Sequence, residues 1–171
     1  MSRVTVAPLR PLDRQRWVEL YAAYARFYEV EQTEEMRERV WSWLVDSAHE
    51  VTGLGARIDG ELVGIAHLRA FARPLAASSG LYLDDLFVDS AARGSGVGAR
   101  LLEAARTLAR ENGHGVVRWI TAQDNATARR LYDGVADTTE WVTYDMSPWC
   151  RGAWAQPKPS TAMAKACRSA A

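Results

Sequence analysis

The sequence predicts an α/β fold: one mixed, mostly antiparallel central sheet with helices on both faces. Three observations predict it. Leu54, Ala56 and Ile58 alternate with Gly55 and Arg57 up to Asp59-Gly60, and an apolar run over 62–71 follows, the pattern of an antiparallel hairpin. An apolar segment over 81–88 leads through a stripe at Val97, Leu101, Ala105 and Leu108 to a second apolar run over 116–121. That strand–helix–strand connection is a right-handed crossover between parallel strands. Two further helical stripes precede the hairpin, which supplies helices for the second face.

Each element has its own signal. Val4 and Val6 alternate with polar residues and mark a short first strand. Asp13 is a candidate N-cap for a helix carrying Trp17, Leu20, Tyr21, Tyr24, Phe27 and Tyr28 on one broad face. Thr33, with Glu34 and Glu35 in the first turn, opens a second helix with Val40, Trp41, Leu44 and Val45. Core packing accounts for both stripes; a second reading lines a substrate groove with Tyr24, Tyr28, Glu29 and Glu31 where these helices end. Pro74 and Ser78-Ser79-Gly80 read as the loop before the 81–88 strand. Gly113 is a natural C-cap for the long helix. The near-continuous apolar run over 116–121 suits a buried, parallel strand. Asp124-Asn125 starts a helix through Ala128, Leu131 and Tyr132, and alternation over 141–146 predicts a last strand. The domain is expected to span 1–146. Residues 147–171 hold three prolines and no clean period, and read as a poorly ordered or peripheral tail.

Composition narrows the function. A chain of 171 residues is long enough to bury one real core. Twenty-one Lys plus Arg against 21 Asp plus Glu argues against a nucleic-acid binder held by bulk electrostatics. Cys150 and Cys167 have no Cys or His neighbour at zinc spacing, so no metal is expected. No signal-peptide pattern and no membrane-length apolar run is seen, so no membrane partner is expected and a cytoplasmic location is the default.

The densest signal is Arg93-Gly94-Ser95-Gly96-Val97-Gly98-Ala99, between the 81–88 strand and the long helix. A helix start leaves its first N–H groups unpaired, the peptide dipoles add positive charge there, and glycine lets an anion approach the backbone. The loop is therefore a candidate phosphate or pyrophosphate cradle. It is not a nucleotide P-loop, because Ala99-Arg100 follows Gly98 where that motif needs Lys-Ser or Lys-Thr. Gly94-x-Gly96-x-x-Ala99 fits the dinucleotide fingerprint in spacing, but Asp89 to Arg93 separate strand from glycines, and the next strand ends Thr121-Ala122-Gln123 without an acid. A plain glycine turn would explain one glycine, and not three alternating ones after an arginine.

On these residues the chain resembles the GCN5-related N-acetyltransferase superfamily. Its acetyl-CoA motif, Arg/Gln-x-x-Gly-x-Gly/Ala after a strand, is matched by Arg93, Gly96 and Gly98. Its second signature, an Asn-x-x-Ala-x-x-Leu/Phe-Tyr helix one strand later, is matched by Asn125, Ala128, Leu131 and Tyr132. Tyr82-Leu83-Asp84-Asp85-Leu86-Phe87-Val88 is similar to the diamine (spermidine/spermine) acetyltransferase branch, which carries an acidic pair before its Phe-Val. The usual Gly-Phe after the tyrosine helix is absent: the chain reads Asp133-Gly134-Val135-Ala136, in a region that often shapes the acceptor pocket.

The resemblance implies an acyl-CoA cleft around a parallel strand pair, 81–88 and 116–121, and acetyl-CoA as co-substrate. It implies that the backbone N–H groups of Ser95, Gly96, Val97, Gly98 and Ala99 hold the pyrophosphate, with Arg93 as support and Gly94 in the same cofactor-binding loop, and that the edge of Leu86, Phe87 and Val88 aligns the pantetheine arm like an added strand. Asn125 caps its helix, bonds the pantetheine, or does both; Ala128 lies in the same cofactor-facing motif. Tyr132 is the implied general acid toward the CoA sulfur. Asp84 is the candidate base, with Asp85, Tyr28 and Glu29 as candidate acceptor-binding residues. Adjacent strand residues face opposite sides, so only one of Asp84 and Asp85 is expected in a given pocket. His67 is a weaker candidate base, since a histidine on a half-buried strand is more often structural. The implied partners are a small-molecule amine and, as in many relatives, a second copy of the chain. The expected activity is acetylation of a small primary amine, with diamines or polyamines first. Amino acids, aminoglycosides, protein amines and a non-catalytic acyl-CoA-binding module stay open.

Overall fold

A computed structural model describes residues 3–146. One five-stranded sheet runs in the order β1-β2-β3-β4-β5: β1 (Val4–Pro8), β2 (Val51–Ile58), β3 (Glu61–Arg73), β4 (Ser78–Val88) and β5 (Val117–Arg118). The first four are antiparallel neighbours; β4 and β5 are parallel. The helices are α1 (Arg14–Phe27), α2 (Glu34–Val45), α3 (Val97–Glu111) and α4 (Ala126–Tyr132).

Two cores sandwich the sheet. On one face, Leu54, Ala56, Ala66, Leu68, Leu81 and Leu83 pack against the Val97, Leu101 and Ala105 stripe of α3. On the other, Leu62, Ile65 and Phe87 meet Trp17 and Leu20 of α1 and Trp41 of α2. Fully burying each large apolar side chain contributes about 1.5–3 kcal/mol. The expected mixed sheet with helices on both faces and a parallel 81–88/116–121 pair is the fold observed.

The local signals held at several ends. Thr33 Oγ1 accepts the Met36 N–H, Asn125 Oδ1 accepts the Ala128 N–H, and Gly113 closes α3 with φ +71. Asp13 differs from expectation: it sits at the α1 N-cap position but makes no side-chain cap bond. Its carboxylate instead accepts the Arg10 N–H at 2.7 Å and pairs with the buried Arg57 of β2. A buried guanidinium outcompetes a helix N–H for that charge.

Three boundaries differ as well. The expected loop over 78–80 is strand, because β4 pairs β3 out to Arg73↔Ser78 and the reversal is made by a short turn over 74–77. The 116–121 run pairs only through Leu81↔Val117 and Tyr82↔Arg118, and Ile120 is 53 % exposed. It is a sheet edge, so the expected burial does not occur. The expected strand over 141–146 is not formed, and Trp141, Val142, Tyr144 and Met146 are exposed. The 147–171 tail lies outside the described residues. Among the described residues no helix is long and apolar enough to cross a membrane.

Candidate active site

The site opens where the sheet splits. Beyond Tyr82 and Arg118 the chain after β5 leaves β4, and among the described residues no strand pairs with the far edge of β4 from Leu83 to Val88. A cavity of about 360 Å³ occupies the opening, within the usual range for a small-molecule site. Its walls are aromatic: Tyr21, Tyr24 and Tyr28 from α1, Trp119 from the β5 exit and Tyr132 from α4. The α1 stripe therefore serves both readings, with Trp17 and Leu20 in the core and its tyrosines at the cavity.

A β-bulge puts both acids into this cavity. His67 pairs with Asp85 and Leu68 with Leu83, which leaves Asp84 as an extra residue on β4. The extra residue resets the alternation. Leu81 and Leu83 face α3, whereas Phe87, two residues after Asp85, faces α1. Asp84 and Asp85 both line the cavity, which overturns the expectation that only one could. Strict alternation fails at an inserted residue, and nothing in a single sequence marks one.

The acids have different partners. Asp84 receives the Arg69 guanidinium at 3.0 Å, with its side chain one-third exposed. Burial pushes its carboxyl above the usual range and the charge of Asp85 adds to that, while Arg69 opposes both. Asp85 Oδ2 lies 2.8 Å from His67 Nδ1 and 3.5 Å from the Tyr21 hydroxyl. His67 is 2 % exposed, and its Nε2 accepts the Trp17 indole N–H at 2.9 Å. Burial, with the Asp85 charge alongside, pushes the Tyr21 and Tyr24 hydroxyls well above the ordinary phenol range.

The glycine loop ends at the bare N-terminus of α3. Gly94 and Gly96 have φ +77 and +81, a region that favours glycine, and a Cβ on either would meet nothing within 4 Å. The first intrahelical bond runs from Arg100 N–H to Gly96, and no side chain caps the end. The N–H groups of Val97, Gly98 and Ala99 are thus available to an anion. The Val97 side chain itself is in the core. Ser95 Oγ donates to the Ala92 carbonyl, which braces the turn. Arg93 Nε lies 3.4 Å from the Val88 carbonyl, and its guanidinium stands over Phe27 and Phe87, toward the open edge of β4. Asp89 holds the strand exit by accepting the Ala91 N–H and an Arg16 N–H.

α4 reaches the same opening. A Cβ on Gly98 would lie 3.0 Å from Leu131, so α3 and α4 touch at the loop. Asn125 is 2 % exposed and commits its amide to the α4 cap and to Thr121 Oγ1 at 3.3 Å. Ala128 is fully buried beneath it. Tyr132 packs edge-on to Trp119 at 5.2 Å, and burial pushes its hydroxyl up to about 12. Leu86 and Val88 are half-buried on the open edge and Phe87 faces the core. Glu29 is exposed with φ 54, and neither it nor Glu31 lines the cavity.

Sequence reasoning missed Tyr21, Gln32, Met36 and Trp119 as cavity residues. Tyr21 and Trp119 carried a signal, as polar-tipped aromatics at the margins of apolar stripes; Gln32 and Met36 carried none. Among the described residues no group of three or more His, Cys, Asp or Glu could hold a metal ion.

Comparison with known proteins agrees with this architecture. The sequence profile of the Acetyltransferase (GNAT) family matches residues 17–134. The chain is 29 % identical over 145 residues to the D-amino-acid N-acetyltransferase HPA3 of Saccharomyces cerevisiae, covering 84 % of this chain and 90 % of that protein. A ribosomal-protein-alanine N-acetyltransferase from Brucella melitensis biovar Abortus 2308 superposes with TM-score 0.72 at 23 % identity, over 85 % of this chain and 99 % of that one. An aminoglycoside N-acetyltransferase in complex with CoA superposes with TM-score 0.74 at 16 % identity, over 87 % and 97 %. With the profile matched across most of its length, the chain belongs to the acetyltransferase (GNAT) family and is an N-acetyltransferase of that type.

Proposed function

We propose that the protein transfers the acetyl group of acetyl-CoA to the primary amine of a small cationic molecule, with diamines and polyamines as the first acceptors. The observation that carries the choice of acceptor is the bulge at Asp84, which presents two carboxylates to an aromatic-walled cavity beside Tyr132. Carboxylates attract an ammonium group, and tyrosine and tryptophan faces favour a cation between them. Among the described residues no lysine or arginine lines the cavity, so an amino acid acceptor would find no cationic partner there for its own carboxylate. That favours amines over the amino acids named for the yeast relative.

The residues fit acetyl-CoA as co-substrate. The free N–H groups of Val97, Gly98 and Ala99, opened by Gly94 and Gly96, would hold the pyrophosphate. The edge over Leu86 to Val88, with which no strand pairs among the described residues, would take the amides of the pantetheine arm. Bound there, the co-substrate supplies an activated acetyl group as a thioester. Asp84, its basicity raised by burial, takes the proton that converts the acceptor ammonium into a nucleophilic amine, directly or through water. The carbon–nitrogen bond forms, the carbon–sulfur bond breaks, and the nitrogen's second proton leaves to solvent. Tyr132 stays protonated at neutral pH and donates a hydrogen bond to the departing sulfur.

The test is free-thiol release from acetyl-CoA with a panel of diamines, polyamines, D- and L-amino acids and aminoglycosides. Saturable release with amines that lack a carboxylate supports the reading. Preference for amino acids, or acetyl-CoA binding without turnover of any amine, overturns it.

A further inference from the structure

His67 sits behind the cavity, with one ring nitrogen bonded on each side. Trp17, fully buried, has an indole N–H that can only donate, and it points at His67 Nε2 from 2.9 Å. Nε2 must therefore present its lone pair. The ring proton is on Nδ1, 2.8 Å from Asp85 Oδ2, and donates to that carboxylate. A doubly protonated imidazole would set N–H against N–H at the tryptophan.

The charges around Asp85 give this arrangement a purpose. β3 presents His67, and it presents Arg69, which is paired with Asp84. α1 presents the Tyr21 and Tyr24 hydroxyls, both held protonated by burial. β4 presents Asp84 itself. No lysine or arginine pairs with Asp85 among the described residues, so its charge is oriented by a neutral donor and left for a ligand.

We propose that Trp17 and His67 form a positioning pair: Trp17 fixes His67 as the Nδ1–H tautomer, and His67 thereby holds Asp85 as the anchor for the acceptor's ammonium group. This rests on the proposed acetyl transfer to a cationic amine. It divides labour within the acidic pair, with Asp84 moving the proton and Asp85 binding the cation. His67 takes no proton from substrate, since its one lone pair belongs to Trp17.

Two measurements on the full chain test it. Nitrogen-15 NMR of histidine-labelled protein near neutral pH should show His67 with a protonated Nδ1 and a bare Nε2; in Trp17→Phe that single-tautomer signature should be lost. A proton on Nε2 in the wild type overturns the proposal whatever the enzyme acetylates. In steady-state kinetics, His67→Ala should raise KM for the amine by about 10-fold and leave KM for acetyl-CoA unchanged. Added to Asp85→Asn it should have no further effect on amine KM, because it acts through Asp85. His67→Asn, which returns an N–H donor near the Nδ1 position, should restore most of the amine affinity. Additive losses in the double variant, or equal losses for both substrates, would show a merely structural histidine. Should His67→Ala fail to fold, Trp17→Phe and His67→Asn carry the same comparison. Absence of wild-type turnover with every amine contradicts the proposed function, and the NMR result still decides the pair.

Discussion

Tyr132 keeps its proton because burial beside Trp119 disfavours the phenolate, which pushes its hydroxyl up to about 12. Two consequences follow at this scale. Tyr132→Phe removes only the donor, so kcat should fall by about 100-fold with KM for acetyl-CoA nearly unchanged, as read from steady-state thiol release. Tyr132 should also contribute no alkaline loss of rate between about pH 7 and 10, because it remains protonated throughout that window. A pH–rate profile of Tyr132→Phe with the same alkaline limb as the wild type would bear this out. Asp84 and Asp85 are neighbours in sequence and differ only in what stands behind them. Arg69 tempers the basicity that burial gives Asp84, and a neutral imidazole leaves Asp85 its charge.

At the scale of elements, one inserted residue organises β4. The bulge lets Leu81 and Leu83 face α3 while Asp85 and Phe87 face α1. Deleting Asp84 would force two core leucines onto the wrong face, at a cost of several side-chain burials, about 3 kcal/mol or more. Asp84→Asn keeps the bulge, so its melting temperature should stay close to that of the wild type while the deletion unfolds far earlier. The α3 N-terminus makes a second prediction. Gly96→Ala introduces a Cβ at φ +81, costing about 1–2 kcal/mol in backbone strain. That strain falls at the turn that opens the N–H groups of Val97, Gly98 and Ala99. KM for acetyl-CoA should therefore rise by about 10-fold with amine KM unchanged, and isothermal titration with CoA should show the same loss.

The geometry of the glycine loop and of the α4 start was legible because its signal is local. Gly94, Gly96 and the cap at Asn125 read directly as backbone freedom and a helix start, and the structure keeps both. The arrangement around Asp84 and Asp85 was not, because it depends on contacts distant in sequence. His67 meets Trp17 fifty positions away, Asp84 meets Arg69 across a strand pair, and the bulge that unites the acids leaves no mark in the residue pattern. The same reason separates the sheet's correct topology from its misplaced edges. The run over 116–121 is apolar enough for a buried strand, but only a missing neighbour makes it an edge.

For the whole molecule, the Asp13–Arg57 pair ties the start of α1 to β2 and so holds the aromatic wall of the cavity against the sheet. Burial raises the Asp13 carboxyl, but the hydrogen bonds from Arg57 and Arg10 outweigh it and the net shift is downward. A folded-state value below the unfolded one stabilises the protein above about pH 3.9, and that contribution is lost as pH falls through the lower folded value. Asp13→Ala strands a buried guanidinium and should cost about 3–5 kcal/mol in denaturant melts. It should also flatten the acid limb of the stability curve.

The most direct measurement is thiol release from acetyl-CoA by the wild type, Asp84→Asn and Asp85→Asn with one diamine. The wild type should turn over with saturation. Asp84→Asn should lose mainly kcat, by about 100-fold. Asp85→Asn should lose mainly amine affinity, with KM raised about 10-fold or more. Unchanged kinetics in both variants would contradict an acidic pair that receives and deprotonates the acceptor.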